Sequence, residues 1–240
     1  MTQIVAHRGL GFGEAENSLA AARAVVADGR FGLEIDVRLT LDGEVVVHHD
    51  RALSATDRPI ETLTFGELTA RCKQAREVPP LARLEDILGV WRDAEPNRRL
   101  LIELKTPVTA DPKALTQAAL ARVGDMDRSR FALMAFDWRA LVFAAEQSSD
   151  LLTIYLSRRQ SAADTPQMIS AWGGSGWGAW REDIDAAAVT RARAQALCLA
   201  VWTVNASEDI RRLTALGVDY LITDLPRLAV SLVDKAPGLA

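Results

Sequence analysis

Cysteine is nearly absent from this sequence. Only Cys72 and Cys198 occur in 240 residues, far apart, so neither a disulfide framework nor a zinc site built on cysteine pairs is expected. Basic blocks are missing too. Lys and Arg number 28 against 32 Asp and Glu, a formal charge of −4, which argues against a nucleic-acid partner. No apolar run reaches transmembrane length. The start, MTQIVAHRGL, has no basic segment leading into an apolar stretch, so no secretory signal is expected and the cytoplasm is the expected location. Aromatics are few, while Ala and Leu dominate, as in a helix-rich α/β protein. A nucleotide-binding glycine loop is also lacking. The first strand-like run ends in His7-Arg8-Gly9-Leu10-Gly11-Phe12-Gly13, which has neither dinucleotide-fold nor P-loop spacing.

What is present is alternation. β-prone runs lie at 4–7, 33–36, 100–104, 131–135, 152–156, 175–180, 198–204 and 219–223. Amphipathic runs lie at 18–28, near 83–93, and at 111–123, 138–147, 165–171, 184–195, 207–215 and 226–234. Ser18, Asp111 followed by Pro112, and Ser207 read as helix N-caps, and Gly29 as a C-terminal stop. Eight βα units in this length predict a single (β/α)₈ TIM barrel, residues 1–240 forming one domain. Residues 37–99 break the pattern. Asp42-Gly43 reads as a tight turn before Val45-Val46-Val47, 63–72 as a short helix, and Val78-Pro79-Pro80-Leu81 as extended chain. This stretch is an excursion near the barrel mouth, between strands two and three.

Barrel chemistry sits at the C-terminal ends of strands, and the out-of-place polar residues fall there. Alternation puts Glu34 with Asp36 on one face and Glu103 with Lys105 on one face, with apolar neighbours turned the other way. Confined charges need partners or a metal, and three carboxylates with a lysine suit a hard divalent cation such as Mg²⁺ or Ca²⁺. His7 follows strand one, and His48-His49 follow the valine run. Histidine exchanges protons near neutral pH. A divalent cation polarises a phosphoryl oxygen, and Arg8 and Lys105 offer charge-assisted bonds to phosphate. Together these parts suit phosphodiester cleavage.

These residues also carry a family resemblance. His7-Arg8-Gly9, Glu16-Asn17-Ser18, Glu34-x-Asp36-Val37, Asp42-Gly43, Val46-Val47-x-His49-Asp50, Pro80-Leu81, Leu84-Glu85-Asp86 and Ile102-Glu103-Leu104-Lys105 occur in order. Val201-Trp202-Thr203-Val204-Asn205 and the stretch from Gly217 through Thr223-Asp224-x-Pro226 complete the set. The ordered set resembles the glycerophosphodiester phosphodiesterases, barrel enzymes of the phospholipase-C-like superfamily. The resemblance implies hydrolysis of glycerophosphodiesters to glycerol 3-phosphate and an alcohol. It implies His7 and His49 as the acid/base pair and selects His49 over His48. It implies Glu34, Asp36 and Glu103 as ligands of one divalent ion, Mg²⁺, Ca²⁺ or Mn²⁺, with Arg8 and Lys105 on the phosphate. Asn17 is a candidate substrate contact or a brace near the metal site, and Trp202 a candidate apolar wall. One segment departs from the family. Where many relatives carry Arg-Thr-Thr after the His-Asp unit, this chain has Ser54-Ala55-Thr56-Asp57-Arg58, so the preferred leaving alcohol can differ.

Several residues have blander readings. Asp137 and Asp224 are expected as N-caps, Glu16 as structural, and Asp50 as either an orienter of His49 or a turn cap. Trp172, Trp177 and Trp180 among their glycines are read as surrounding strand six rather than as a lipid-contacting surface, and Arg158-Arg159 as solvated rather than as a contact for an anionic substrate. Two other functions stay in view. One is lysophospholipase D or sphingomyelinase D-like activity on tailed lipids, which an exposed apolar patch beside the mouth favours. The other is a non-catalytic phosphodiester-binding barrel.

Overall fold

The computed structural model describes residues 2–74, 79–107, 110–158 and 163–234. The alternation read from sequence becomes β1 (Gln3–Ala6), α1 (Leu19–Asp28), β2 (Gly32–Leu39), β3 (Val45–Val47), α2 (Phe65–Gln74), α3 (Leu84–Trp91), β4 (Leu100–Leu104) and α4 (Pro112–Val123). It continues with β5 (Phe131–Ala135), α5 (Trp138–Gln147), β6 (Leu152–Leu156), α6 (Thr165–Ala171), β7 (Gly176–Trp180), α7 (Ala186–Ala194), β8 (Cys198–Trp202), α8 (Ser207–Ala215), β9 (Tyr220–Thr223) and α9 (Pro226–Val233). Eight of these strands are parallel neighbours, and pairing of β1 with both β9 and β2 closes them into the expected barrel. The ninth, β3, runs antiparallel to the end of β2. It is the root of the predicted excursion, whose own small core is Val46, Ile60, Leu63 and Leu68.

Register explains the two-sided burial. Glu34 aligns with Leu101 and Asp36 with Glu103. Aligned residues of parallel strands share a face. The face carrying Glu34 and Asp36 continues through Leu101, Ala132, Met134, Ile154, Leu156, Ala200, Ile222 and Val5, which fill the barrel interior. The opposite face, including Leu33, Ile35, Ile102 and Leu133, packs beneath the helices. Gly178 on β7 faces inward because a Cβ there would lie 2.5 Å from Leu156 Cδ2. Close packing at this point is satisfied by one large residue against none. The barrel interior is therefore filled by apolar side chains below its mouth, and the inward-facing acids of β2 and β4 lie toward its C-terminal end.

The caps follow the sequence at most ends. Ser18 accepts the Ala21 N–H, Gly29 closes α1 at φ 73°, and Asp111 precedes Pro112 and accepts the Lys113 N–H. Two expectations need correction. Ser207 is the first residue of α8, and Ala206 takes the cap position without a side-chain bond. Glu208 and Asp209 in the first turn complement the helix dipole instead. Asp224 does not cap α9; its carboxylate is engaged across the mouth, as described below. Among the described residues Cys72 and Cys198 are free thiols. Burial pushes the Cys198 thiol up to about 12, so it stays protonated and inert.

Candidate active site

β2 and β4 deliver the carboxylates. Glu34, Asp36 and Glu103 are 2%, 1% and 8% exposed, and one oxygen of each lies within 4.8 Å of the others. Asp36 is the hub. Its Oδ1 is 3.1 Å from Lys105 Nζ, and its Oδ2 is 3.2 Å from Arg8 Nε and accepts the Asn17 amide at 2.9 Å. The Asn17 carbonyl in turn accepts the Asp36 N–H. Burial works against the Asp36 charge, but Lys105, Arg8 and Asn17 prevail and hold its pKa below the usual carboxylate range. Lys105 also lies 2.7 Å from Glu103 Oε1. Its position is fixed by its own N–H, which extends the β2–β4 ladder to the Val37 carbonyl.

Glu34 differs. One oxygen accepts the Arg8 backbone N–H, while Oε1 is buried with no hydrogen-bond partner. Burial, with the nearby charges of Asp36 and Glu103, pushes its pKa up to about 8. Burial also raises Glu103 despite Lys105. An orphaned carboxylate oxygen costs free energy unless something supplies charge. A hard cation would supply it, so the donor set fits a divalent ion.

Two histidines flank this cluster. β1 ends at Ala6, and His7 opens a 3₁₀ turn in which Arg8 has φ 53° and Gly9 φ 73°. A Cβ at Gly9 would meet the Ala21 Cβ at 2.7 Å, so the turn requires glycine to lie against α1. His7 Nδ1 is 2.6 Å from Asp224 Oδ1, and Asn205 donates to Asp224 Oδ2 at 2.6 Å. Asp224 is held ionised chiefly by that His7 bond. The ring therefore donates through Nδ1 and turns Nε2 toward Glu34, 4.0 Å away. Burial pulls the His7 pKa down, but Asp224 and Glu34 outweigh it and leave it raised.

His49 comes from the excursion. The β2–β3 pairing continues through the His48 N–H to the Asp36 carbonyl, which sets His49 beside the site. Arg38, on the same face of β2 as the acids, donates to the His49 carbonyl at 2.6 and 3.1 Å and to the Lys105 carbonyl at 3.3 Å. His49 Nδ1 bonds Asp50 at 2.8 Å. Burial, then the Lys105 charge, lowers its pKa, against the pull of Asp36. His48 instead points to the Ala52 carbonyl and lines a cavity with Leu53, Pro79 and Pro80.

The far side of the mouth is aromatic. Trp202 donates to the Gly178 carbonyl and stands edge-on between Phe136 and Trp180. Arg158 is exposed, as expected, but its guanidinium stacks over both Trp180 and Trp202; Arg159 lies outside the described residues. Trp177 is a buried support whose indole N–H donates to Ser157. Trp172 is nearly half exposed and packs edge-on against Trp138. Asp137 caps α5 as expected, and Glu16 pairs with Arg8. Asp224, Asn205 and Arg38 join the site without having been assigned a role in it from sequence. Asn205 and Asp224 stand at strand ends within the ordered motifs, whereas Arg38 carried no signal of its own.

A closed parallel barrel with a buried carboxylate triad and tethered histidines at its C-terminal mouth defines a phosphoric diester hydrolase of the TIM-barrel class. A family model for the glycerophosphoryl diester phosphodiesterase family matches residues 7–228, and the chain belongs to that family. It is 28% identical, over 93% of its length and 89% of the relative's, to a Mycobacterium tuberculosis protein assigned as glycerophosphodiester phosphodiesterase 1. It is 25% identical to the glycerophosphodiester phosphodiesterase of Caldanaerobacter subterraneus, covering 98% of both chains. A crystal structure of a Silicibacter pomeroyi protein assigned as a glycerophosphoryl diester phosphodiesterase is similar, with TM-score 0.84 and 28% identity, covering 98% of this chain and 94% of that one. Among the described residues no helix is long and apolar enough to cross a membrane.

Proposed function

We propose that the protein hydrolyses glycerophosphodiesters to glycerol 3-phosphate and an alcohol. The observation that carries this reading is the pair of histidines, each tied through Nδ1 to an aspartate, on either side of the buried triad. Glu34, Asp36 and Glu103 would hold one divalent cation, Mg²⁺ or Ca²⁺ with Mn²⁺ as a substitute, and that ion would polarise the phosphoryl oxygen. Charge supports a diester. With all three carboxylates ionised, Arg8 and Lys105 leave the cluster one negative charge, and a divalent ion turns this into one positive charge. A phosphodiester carries one negative charge and balances it. Lys105 and Arg8 face the phosphate, and Trp202 walls the organic part. Asn17, whose amide is committed to Asp36, acts through that ligand and not on the substrate.

His7 and His49 move the protons. One accepts the proton of the substrate's glycerol hydroxyl as its oxygen attacks phosphorus, and the other protonates the departing alcohol. Water then opens the cyclic phosphate. ³¹P NMR of glycerophosphocholine with enzyme and Mg²⁺ tests this reading. The expected result is glycerol 3-phosphate, with no reaction of an analogue lacking the neighbouring hydroxyl. Saturable binding without turnover would support the non-catalytic barrel instead, and full turnover of the analogue would contradict the cyclic route.

A further inference from the structure

One cation at the barrel mouth has no part in the reaction given above. Arg158 follows β6, and its root is rigid. The Ser157 N–H extends the β6–β7 ladder to the Gly178 carbonyl at 3.0 Å, and the Ser157 hydroxyl accepts the Trp177 indole N–H at 2.8 Å. The Gly178 carbonyl also accepts the Trp202 indole N–H at 3.0 Å. One backbone group thus anchors both the root of Arg158 and a ring beneath its guanidinium. Arg158 Cζ lies 5.0 Å from the Trp202 ring centre and 5.3 Å from that of Trp180. Two indoles hold an exposed side chain that would otherwise spread over many rotamers. Arg181 stacks on Trp180 as well, at 4.4 Å, but Glu182 at 3.1 Å and Asp209 at 3.6 Å already neutralise it. Among the described residues no carboxylate pairs with Arg158.

Aromatic contacts join this stack to the chemistry. Trp180 and Trp202 end β7 and β8 in register and share the inward face with Gly178 and Ala200. Trp202 meets Phe136 edge-on at 5.3 Å, and Phe136 lines the cavity over Glu103 and Lys105. A guanidinium held on rings keeps its edge free, and the N–H groups there form a fork matched to an anion. The charge of the phosphodiester is balanced at the triad, and the glycerol carries none. An anion that a substrate offers to Arg158 therefore sits on its alcohol. One guanidinium matches one carboxylate, whereas a phosphate monoester carries nearly two charges. We infer that Arg158 is a specificity-determining residue: it makes the site favour glycerophosphodiesters whose leaving alcohol bears a carboxylate over those with a neutral or cationic alcohol. The inference rests on the phosphodiesterase reading given above.

The test is kcat/KM for three diesters of glycerol 3-phosphate, whose alcohols are glycerol, glycerate joined through its 3-hydroxyl, and ethanolamine. Glycerol and glycerate match in size and differ in charge. Intrinsic differences in their reactivity cancel when wild type and variant are compared. Arg158→Gln should lower the glycerate-to-glycerol ratio about tenfold, the worth of one charge-assisted hydrogen-bonded contact. Arg158→Glu should lower it further and raise the ethanolamine-to-glycerol ratio. Arg158→Lys, which keeps the charge and loses the fork, should retain part of the preference. The wild-type preference should also shrink in about 0.5 M salt, because exposed charges are screened. Arg158 is exposed, and unfolding midpoints would verify that the variants fold. A stack that only supports the aromatic wall would lower all three substrates together and leave their ratios in place. That result, or a ratio indifferent to Arg158→Glu, overturns the inference and leaves the phosphodiesterase reading standing. No turnover of any of the three diesters removes the phosphodiesterase reading, and this inference with it.

Discussion

Asp36→Asn should abolish turnover and unfold the protein at a markedly lower temperature. The substitution keeps the shape and removes the charge that Lys105 and Arg8 share. Asp36 is almost fully buried and both cations are mostly so, and breaking such a pair costs about 3 kcal/mol or more. For a chain of this size that is roughly 6–12 °C in the unfolding midpoint. The triad also loses its central ligand, so added divalent cation should no longer stabilise the protein. Calorimetry with and without cation checks both parts. A variant that keeps its midpoint, its cation response and its activity would contradict the hub role.

The second large effect separates proton transfer from metal binding. His7→Ala should lower kcat by about 10²–10⁴-fold while the cation still stabilises the fold, because the triad is intact. Asp224→Asn should reproduce part of that loss. Asp224 fixes the His7 tautomer and raises its pKa against the burial that lowers it. Without the carboxylate the His7 pKa falls, so the limb of the pH–rate profile that His7 sets should move to lower pH. A purely structural role for Asp224 would leave that limb in place. Activity of His7→Ala close to wild type would remove His7 from the acid/base pair.

The barrel was legible because each strand and helix carries its own local signal. Short continuous apolar runs marked Leu100–Leu104 and Phe131–Ala135, and Ser18, Asp111 and Gly29 punctuated helices through bonds to near neighbours. The triad was legible for the same reason, since strand parity alone aligns Glu34 with Asp36. What stayed hidden depends on contacts between distant parts of the chain. Asp224 stands just before Pro226, a position that reads as a cap, yet it bonds a histidine 217 residues away. Arg38 lay in the stretch read as the excursion, and only the folded chain brings the His49 and Lys105 carbonyls to it. Residues alone left His48 and His49 equivalent. The His48 N–H bond to Asp36 separates them, sending His49 to the cluster and His48 to the Ala52 carbonyl. Spacing did not separate Trp172 from Trp177, which are 46% and 1% exposed, because one follows α6 and the other lies on β7.

In the proposed reaction, turnover depends on one cation bound by Glu34, Asp36 and Glu103. The direct measurement is hydrolysis of glycerophosphocholine by chelator-stripped protein as a divalent ion is added back, repeated from pH 6 to 8.5. Glu34 is raised to about 8. In the cation-free fold it keeps its proton well above the pH at which an unfolded glutamate loses it, and that burial costs stability increasingly over this window. Ligation requires the ionised form, so the apparent cation affinity should strengthen as pH rises toward 8. The expected result is no turnover without cation, restoration that saturates with one ion per chain, and a half-saturating concentration that falls as pH rises. Full activity in the presence of chelator would contradict it.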